Sequence, residues 1–144
     1  MTLFVDSDGF VALSKEDDTN HDKAIKILQK AINIGVLFVT SNYVFSEVVT
    51  VLSQRSGHEA ALRFIRRMKS PASGYNFEWI DENVEKEAIN IFSQQTSKNV
   101  SFVDCTNMAV MKIKRIDAVF SFDDVYRKNG FSVFDADVFS SKAI

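Results

Sequence analysis

A chain of 144 residues with 46% hydrophobic and 25% charged residues is typical of one globular domain and argues against disorder. No apolar run approaches the roughly 20 residues that span a bilayer, so we do not expect a membrane protein. The net charge of −2 neither indicates nor excludes nucleic-acid binding. A protein that binds nucleic acid through its whole surface is usually basic, so any such binding here must use local patches or metal ions. A single cysteine and an N-terminus without a basic flank predict a cytoplasmic protein.

The apolar pattern predicts strands that alternate with helices along the chain. Short apolar runs predict strands at 3–5, 36–39, 77–80, 118–120 and 131–134. Such alternation is typical of a mostly parallel sheet with helices on both faces. We therefore predict an α/β, three-layer domain over residues 1–144, with a central sheet of four to five strands and a core between about residues 2 and 135.

The predicted helices follow from apolar residues at helical spacing. After the first strand we expect a polar turn over residues 6–9 and a short helix over 10–13. Ser101 is expected to cap the helix before the fourth strand. The inward-facing residues of the longer helices are expected to be Ala24, Ile27, Leu28, Ala31 and Ile32; Val44, Val48, Val51 and Leu52; Leu62, Phe64, Ile65 and Met68; Val84, Ala88, Ile91 and Phe92; and Val103, Met108, Met111 and Ile113.

Four acidic residues lie at or near the ends of predicted strands or the starts of predicted helices: Asp6, Glu47, Asp104 and Asp123. In parallel sheets these positions line one crevice, where ligands bind. Carboxylates gathered there raise each other's pKa unless a positive charge lies between them. Mg²⁺ typically uses one or two carboxylates, several waters and a substrate phosphate. The pattern therefore predicts metal-assisted attack of water on a phosphodiester.

Each acid also has a structural explanation. Asp6 and Asp123 stand where the chain turns, and aspartate is common in turns. Asp104 can complete a capping box with Ser101, and Glu47 can be a solvated helix residue. Taken singly, each acid is better explained in this way. All four at one predicted edge favour a site.

Five segments of the chain carry a family resemblance. They are FVDSDGFVAL, NHDKA, FVTSNYVFSEVVTVL, SFVDCTNMAVM and AVFSFDDVYRKNGF. In this order they resemble the motifs of PIN-domain nucleases, and most closely those of the VapC-type toxins of bacterial toxin–antitoxin pairs. The resemblance covers nearly the whole chain. It implies a PIN-like fold and an enzyme that cuts single-stranded or structured RNA with Mg²⁺ or Mn²⁺.

The resemblance also implies roles for the acids. Asp6 matches the first metal ligand, Glu47 the acid carried on a helix, Asp104 the third acid and Asp123 the fourth. All four are thus expected to be catalytic residues and metal ligands.

Neighbouring residues match the family less uniformly. Ser7 and Ser121 match small hydroxyl positions that support the acids, although threonine is commoner at the second. Asp124 adjoins the fourth acid, which leaves open which of the two aspartates faces the metal. Asp8 is an extra ligand or a turn residue, and Tyr126 stands where phenylalanine is commoner.

Basic residues form three clusters that could hold RNA phosphates: Arg63, Arg66, Arg67 and Lys69; Lys112, Lys114 and Arg115; and Arg127 and Lys128. Solvated helix faces are the structural alternative for each cluster. As RNA-binding residues we single out Arg63, Arg66, Arg67, Lys112 and Arg115, whose contacts would be salt-dependent. The resemblance also implies a homodimer and a cognate antitoxin, with a groove formed by the apolar helices near residues 43–68.

Two other functions stay open. Phosphatases of the haloacid dehalogenase type begin with a similar strand and D-x-D motif, in which Asp6 would be the covalent nucleophile and Asp8 the general acid. That family usually has threonine or valine where Phe10 stands, and it gives no role to Glu47 or Asp104. The other alternative is a catalytically silent PIN-like module that binds RNA.

Overall fold

A four-stranded parallel sheet lies at the centre of the computed structural model, which describes residues 1–135. Its strands are β1 (Thr2–Val5), β2 (Leu37–Ser41), β3 (Tyr75–Glu78) and β4 (Ala118–Phe120). Their spatial order is β3-β2-β1-β4, and the pairs β1–β2, β1–β4 and β2–β3 are all parallel. The two strands β1 and β4 supply the most deeply buried residues of the sheet. The predicted α/β fold is confirmed.

Helices flank this sheet, and their mutual contacts fall into two groups. The helices are α1 (Ser7–Ser14), α2 (His21–Asn33), α3 (Asn42–Ser56), α4 (His58–Lys69), α5 (Glu82–Ser93), α6 (Phe102–Ile113) and α7 (Val125–Lys128). Helix α5 packs on α6, while α3 packs on α4 and α1, and α1 on α2. Within residues 1–135, no helix is both long and apolar enough to cross a membrane. The last part of the predicted domain, residues 136–144, lies outside the described residues.

The first helix begins earlier than the sequence predicts. Residues 6–9 do not form a polar turn, because Asp6 caps α1 directly after β1 and accepts the Ser7 N–H at 2.7 Å. Gly9 lies inside this helix. A Cβ at this position would lie 3.1 Å from the ring of Phe120 and 3.2 Å from the backbone carbonyl oxygen of Phe120. The absent side chain lets α1 approach the end of β4, which brings the two chain segments of the site together.

The second and third strands are displaced from their predicted positions. β2 continues through Ser41, whose side chain then caps α3 by accepting the Val44 N–H at 3.1 Å. β3 occupies 75–78 instead of 77–80, because Asp81 caps α5 and so ends the extended segment. The Ile80 N–H bonds to a side chain of α3 instead of a neighbouring strand.

The predicted fifth strand at 131–134 is wrong. This segment makes one isolated parallel bridge, between Val119 and Val133. The Val119 N–H donates to the Ser132 carbonyl at 3.0 Å, and the Phe134 N–H donates to the Val119 carbonyl at 2.8 Å. The run of alternating apolar residues therefore covers the outer edge of β4 without extending the sheet.

Some residues that were predicted to face inward are exposed. Ile32, Phe92 and Ile113 are 58%, 46% and 45% exposed, and each lies in the last turn of its helix. The large apolar side chains exposed within residues 1–135 are Met1, Ile32, Ile34, Leu37, Trp79, Ile89, Phe92 and Ile113. None of them lies on α3 or α4, so these helices present no fully exposed large apolar side chain for the expected dimer and antitoxin groove.

Candidate active site

All four predicted acids lie at the carboxyl-terminal edge of the parallel sheet. Asp6 follows β1 directly, and Asp123 lies three residues after the end of β4. Glu47 is in the second turn of α3, which begins directly after β2. Asp104 is in the first turn of α6. The short connections after β1, β2 and β4 place Asp6, Glu47 and Asp123 at this edge. The start of α6, the helix that precedes β4, brings Asp104 near Asp6 and Asp123.

Asp6 is the innermost of these acids and is only 4% exposed. Its Oδ1 accepts hydrogen bonds from the Ser7 N–H at 2.7 Å and the Asn107 Nδ2 at 3.0 Å. Its Oδ2 accepts from the Tyr126 hydroxyl at 2.7 Å and faces the Ser121 hydroxyl at 3.2 Å. Asn107 also donates to the Tyr126 hydroxyl at 2.9 Å. The fold thus fixes both oxygens of this carboxylate.

The acids raise one another's pKa. Burial raises the pKa of Asp6, and the charge of Glu47 raises it further, against the lowering effect of its hydrogen bonds. Burial raises the pKa of Asp104 to about 6, with further contributions from the charges of Asp6 and Asp123. The ion pairs found within residues 1–135 involve none of these acids. Their negative charge is therefore left without a cationic side chain.

Ser7 connects the acid of β1 to the acid of α3. Its hydroxyl donates to Glu47 Oε1 at 2.5 Å and lies 3.3 Å from Asp6 Oδ1. Because Ser7 is the first residue of α1, this contact also joins α1 to α3. The side chain of Glu47 is thereby oriented towards the other acids.

Asp104 and Asp123 each use one carboxylate oxygen in a local cap. Asp104 Oδ2 accepts the Ser101 N–H, while Ser101 Oγ accepts the Asp104 N–H, both at 3.0 Å. Asp123 Oδ1 accepts the Val125 N–H at 2.9 Å. The second oxygen of each aspartate accepts no hydrogen bond from residues 1–135. The structural explanation of these acids is therefore correct, and it leaves one oxygen of each available to a ligand.

The structure distinguishes Asp123 from its neighbour. The charge of Asp123 is among the main causes that raise the pKa of Asp104, and that of Asp124 is not. Both aspartates are exposed, but Asp123 caps the Val125 N–H, whereas Asp124 begins α7 without a side-chain cap. Of the two aspartates, Asp123 is thus the one that faces the other acids.

Asp8 lies behind the cluster. Its Oδ2 accepts the Phe122 N–H at 2.8 Å and lies 3.0 Å from the Ser121 hydroxyl, so it joins α1 to the turn after β4. Burial and the charge of Asp6 raise the pKa of Asp8 to about 7. Ser121 has one hydroxyl hydrogen and can donate it to only one of the two aspartates at a time.

Asn107 and Tyr126 were missed as partners of Asp6. Both are completely buried, and they contact Asp6 across 101 and 120 residues of sequence. A polar Asn107 on the buried face of α6, between Cys105 and Met108, is a signal that could have identified the first. The hydroxyl of Tyr126, where phenylalanine is commoner, could have identified the second.

The donor atoms fit a hard divalent cation. Within residues 1–135, no group of three or more His, Cys, Asp or Glu side chains is arranged to hold a metal ion. Asp104 and Asp123 each keep a free oxygen, and Asp8 Oδ1 and Asn107 Oδ1 are buried without a hydrogen-bond partner. Oxygen donors suit Mg²⁺ or Mn²⁺, which need only one or two carboxylates when water completes the coordination.

Basic side chains line two cavities, one of which contains Glu47 while the other contains none of the four acids. Arg55 of α3 lines a cavity of about 190 Å³ together with Ser7, Asp8 and Glu47. A second cavity of about 360 Å³ is lined by Lys23, Lys26, Arg127, Ser121 and Phe122. Arg55 was not predicted, because it is an isolated charge in the last turn of its helix.

The five predicted RNA-binding residues lie away from the acids. Lys112 and Arg115 are at the far end of α6, and Lys112 is roughly 12 Å along the helix axis from Asp104. Lys112 pairs with Glu87 at 2.7 Å. Arg66 pairs with a glutamate of its own helix, and Arg63 and Arg67 line a cavity that contains none of the four acids. Their RNA-binding role stays a prediction.

The sequence of the chain also matches a known family. The sequence model of the PIN domain family matches residues 3–132 of this chain. The chain belongs to the PIN domain family. This PIN domain is 30% identical over 129 residues to the 23S rRNA-specific endonuclease VapC20 of Mycobacterium tuberculosis, in the strains CDC 1551 / Oshkosh and ATCC 25618 / H37Rv. The match covers 90% of this chain and 95% of that protein.

Solved structures support the same assignment of fold. The crystal structure of Mycobacterium tuberculosis VapC20, described as a sarcin-ricin loop cleaving toxin, superposes with a TM-score of 0.78 at 28% identity, over 90% of this chain and 95% of that one. FitAcB from Neisseria gonorrhoeae superposes with a TM-score of 0.70 at 15% identity, over 93% and 97% of the two chains. A toxin–antitoxin complex from Klebsiella pneumoniae gives 0.58 at 12% identity, over 86% and 88%. The last two show the fold alone.

Proposed function

We propose that this PIN domain is an endoribonuclease that uses Mg²⁺ or Mn²⁺ to hydrolyse RNA phosphodiesters. The observation that carries the proposal is the convergence of Asp6, Glu47, Asp104 and Asp123 at one edge of the sheet, with no cationic side chain of residues 1–135 paired with them. The repulsion within such a cluster is relieved by protonation, which the raised pKa values of Asp6 and Asp104 reflect, or by a bound cation.

The four acids have different roles in this proposal. Asp104 and Asp123 offer free oxygens to the cation, and Asp6 fixes the inner wall against which it binds. Glu47, whose side chain is oriented by Ser7, lies on the side of the metal site that α3 forms. The bound cation would activate water and stabilise the charge on the leaving oxygen. Arg55, which shares a cavity with Glu47, would hold an RNA phosphate next to the acids, and Arg127 would hold another in the cavity lined by Ser121.

Ribosomal RNA is the substrate class that we propose to test first. VapC20 is named a 23S rRNA-specific endonuclease, and its match to this chain covers nearly the whole of both proteins. We further propose that the protein is the toxin of a toxin–antitoxin pair and acts in the cytoplasm. A cognate antitoxin would place a basic side chain against the four acids and so compete with the cation.

A homodimer is part of this proposal. The helices α3 and α4 bury most of their apolar surface within the chain, so the dimer would use their half-buried side chains, such as Phe45 and Val49. Size-exclusion chromatography with light scattering at micromolar concentration is expected to give twice the mass of the chain, and a monomer would overturn the dimer.

The phosphatase alternative gains no support from the geometry. Its nucleophile would be Asp6, whose two oxygens already accept hydrogen bonds and which is almost completely buried. A carboxylate covered in this way cannot approach a phosphate without losing those contacts. The family assignment points in the same direction.

The test is cleavage of purified ribosomal and transfer RNA by the pure protein with Mg²⁺ or Mn²⁺, and with EDTA. We expect cleavage that EDTA abolishes and that Asp104→Asn reduces by about 10²–10⁴-fold. The matched control is Asp124→Asn, which removes an equal charge from an exposed neighbour. A generic phosphomonoester is assayed beside the RNA. Its hydrolysis by both the wild type and Asp104→Asn would favour the phosphatase. RNA binding without cleavage would favour the silent module.

A further inference from the structure

A polar pocket opens beside Asp123 and has no part in the mechanism above. Its volume is about 330 Å³, and it lies between the segment that joins α5 to α6 and the helix α7. We call it the amide pocket, defined by Gln95, Thr96, Asn99, Asp123, Lys128 and Asn129. Asp123, whose charge raises the pKa of Asp104, lines this pocket, so the pocket adjoins the acid cluster.

Two amide side chains form a fixed wall of the amide pocket. Gln95 Nε2 donates to Asn129 Oδ1 at 2.9 Å, and Asn129 Nδ2 donates back to Gln95 Oε1 at 3.2 Å. The remaining hydrogens of the two amides bond to the carbonyls of Ile91 and Val125. All their donors are thus satisfied, and the pair ties the α5–α6 segment to α7.

Other polar groups in the pocket have no partner. The side chains of Asn99, Thr96 and Lys128 make no hydrogen bond or ion pair within residues 1–135. Val100 and Val125 add apolar surface to the same pocket. A rigid wall, open donors and acceptors and an apolar surface are together what a planar polar ligand requires.

We infer that the amide pocket binds a nucleobase of the RNA, from a nucleotide next to the scissile phosphate. The inference rests on the proposed function. Sequence-specific RNA recognition uses unstacked bases whose edges meet side-chain donors and acceptors. Asn99 offers one donor beside one acceptor, which matches a base edge with the same pair, as in adenine. Lys128 is placed to hold that nucleotide's phosphate, since Asp123 in the wall disfavours an anion deeper in the pocket.

The nuclease test uses a random-sequence RNA library cleaved in Mn²⁺, with the new ends sequenced. We expect the wild type to prefer one base at a fixed position beside the cut. Asn99→Ala should reduce that preference about tenfold or more, and Asn99→Asp, which replaces the donor by an acceptor, should change the preferred base. Asn33→Ala, at an exposed position on α2, is the matched control.

Two further variants, Lys128→Gln and Asp104→Asn, distinguish failure of the base pocket from failure of the proposed function. Lys128→Gln should weaken binding of every sequence alike and reduce the salt dependence by about one unit of slope, without changing the preferred base. Unchanged preference in Asn99→Ala and Asn99→Asp would overturn the base pocket while the nuclease stands. Cleavage that persists in Asp104→Asn would overturn the proposed function instead.

A binding measurement tests the pocket without cleavage. Fluorescence anisotropy with eight-nucleotide homopolymers of A, C, G and U in EDTA should show unequal affinities for the wild type. Asn99→Ala should make these affinities nearly equal. Equal affinities of the wild type for all four homopolymers would overturn the inference, whatever the protein does to RNA.

Discussion

The inner and outer acids of this site are held in different ways. Asp6 is 4% exposed, and five donor atoms from four residues surround its two oxygens. Asp104 and Asp123 each make one local cap with a residue two or three positions away and keep one oxygen free. The inner acid therefore depends on the whole fold, whereas the outer acids depend on the start of one helix or turn.

This difference indicates how the site can bind and release a ligand. A carboxylate held by long-range contacts is a fixed reference point, and its pKa reflects burial more than any single neighbour. Carboxylates with a free oxygen can turn towards a cation without breaking the fold. We expect variants of the outer acids to change chemistry alone, and variants around Asp6 to change both chemistry and stability.

The largest expected effect separates the two adjacent aspartates after β4. Asp123→Asn should reduce metal-dependent RNA cleavage by about 10²–10⁴-fold, because the amide keeps the cap to Val125 but loses the charge. Asp124→Asn should retain nearly full activity. Initial rates of cleavage of ribosomal RNA measure both. Equal losses in the two variants would remove the distinction drawn between these residues.

A smaller effect is expected around the inner acid. Tyr126→Phe removes the hydroxyl that donates to Asp6 and accepts from Asn107, so it should lower cleavage by about 10–100-fold. It should also lower the free energy of unfolding by about 1–3 kcal/mol, because Asn107 and Asp6 lose a buried partner. Urea unfolding and cleavage rates are the measurements, with Tyr43→Phe as the control. Full activity with unchanged stability would show that the inner acid is not fixed through Tyr126.

Two basic residues test where RNA lies. Arg55→Gln should weaken RNA binding and lower the slope of log affinity against log salt by about one, because Arg55 shares a cavity with Glu47. Lys112→Gln should leave the slope unchanged, since Lys112 pairs with Glu87 at the far end of α6. The measurement is a salt titration of RNA affinity in EDTA. A larger effect of Lys112→Gln than of Arg55→Gln would favour RNA binding by the cluster of Lys112, Lys114 and Arg115, which was predicted from the sequence.

A further effect is expected on stability against pH. The pKa of Asp8 is raised to about 7 and that of Asp104 to about 6, from an ordinary value of 3.8. At pH values between the ordinary pKa and the raised pKa of each group, the folded state therefore binds more protons than the unfolded state. Stability is thus expected to fall as pH rises from 5 to 8. Thermal unfolding in EDTA should show this fall, and Asp8→Asn should make it shallower. A melting temperature that rises over this range in the wild type would contradict the raised pKa values.

The sequence predicted the outer acids better than the inner one. The capping box of Ser101 and Asp104 follows from three positions of local sequence, and the structure contains it. The buried strand 118–120 was also predicted correctly, since a short apolar run of this kind has few alternatives. Local rules of helix starts and strand composition are enough for these elements.

Long-range contacts were beyond the sequence pattern. The hydrogen bonds of Asp6 to Asn107 and Tyr126 join residues more than 100 positions apart, which a single sequence does not reveal. The segment 131–134 has the composition of a strand but pairs only through one bridge. The cavity that contains Arg55 arises from the packing of α1 against α3. In each case tertiary packing decided the outcome.

We propose that the acids of this site hold a divalent cation. Isothermal titration calorimetry with Mn²⁺ on the apo protein at pH 7.5 tests it most directly. We expect saturable binding by the wild type and by Asp124→Asn, and binding weakened at least tenfold in Asp104→Asn. Absence of binding in the wild type, or equal affinity in Asp104→Asn, would contradict the account.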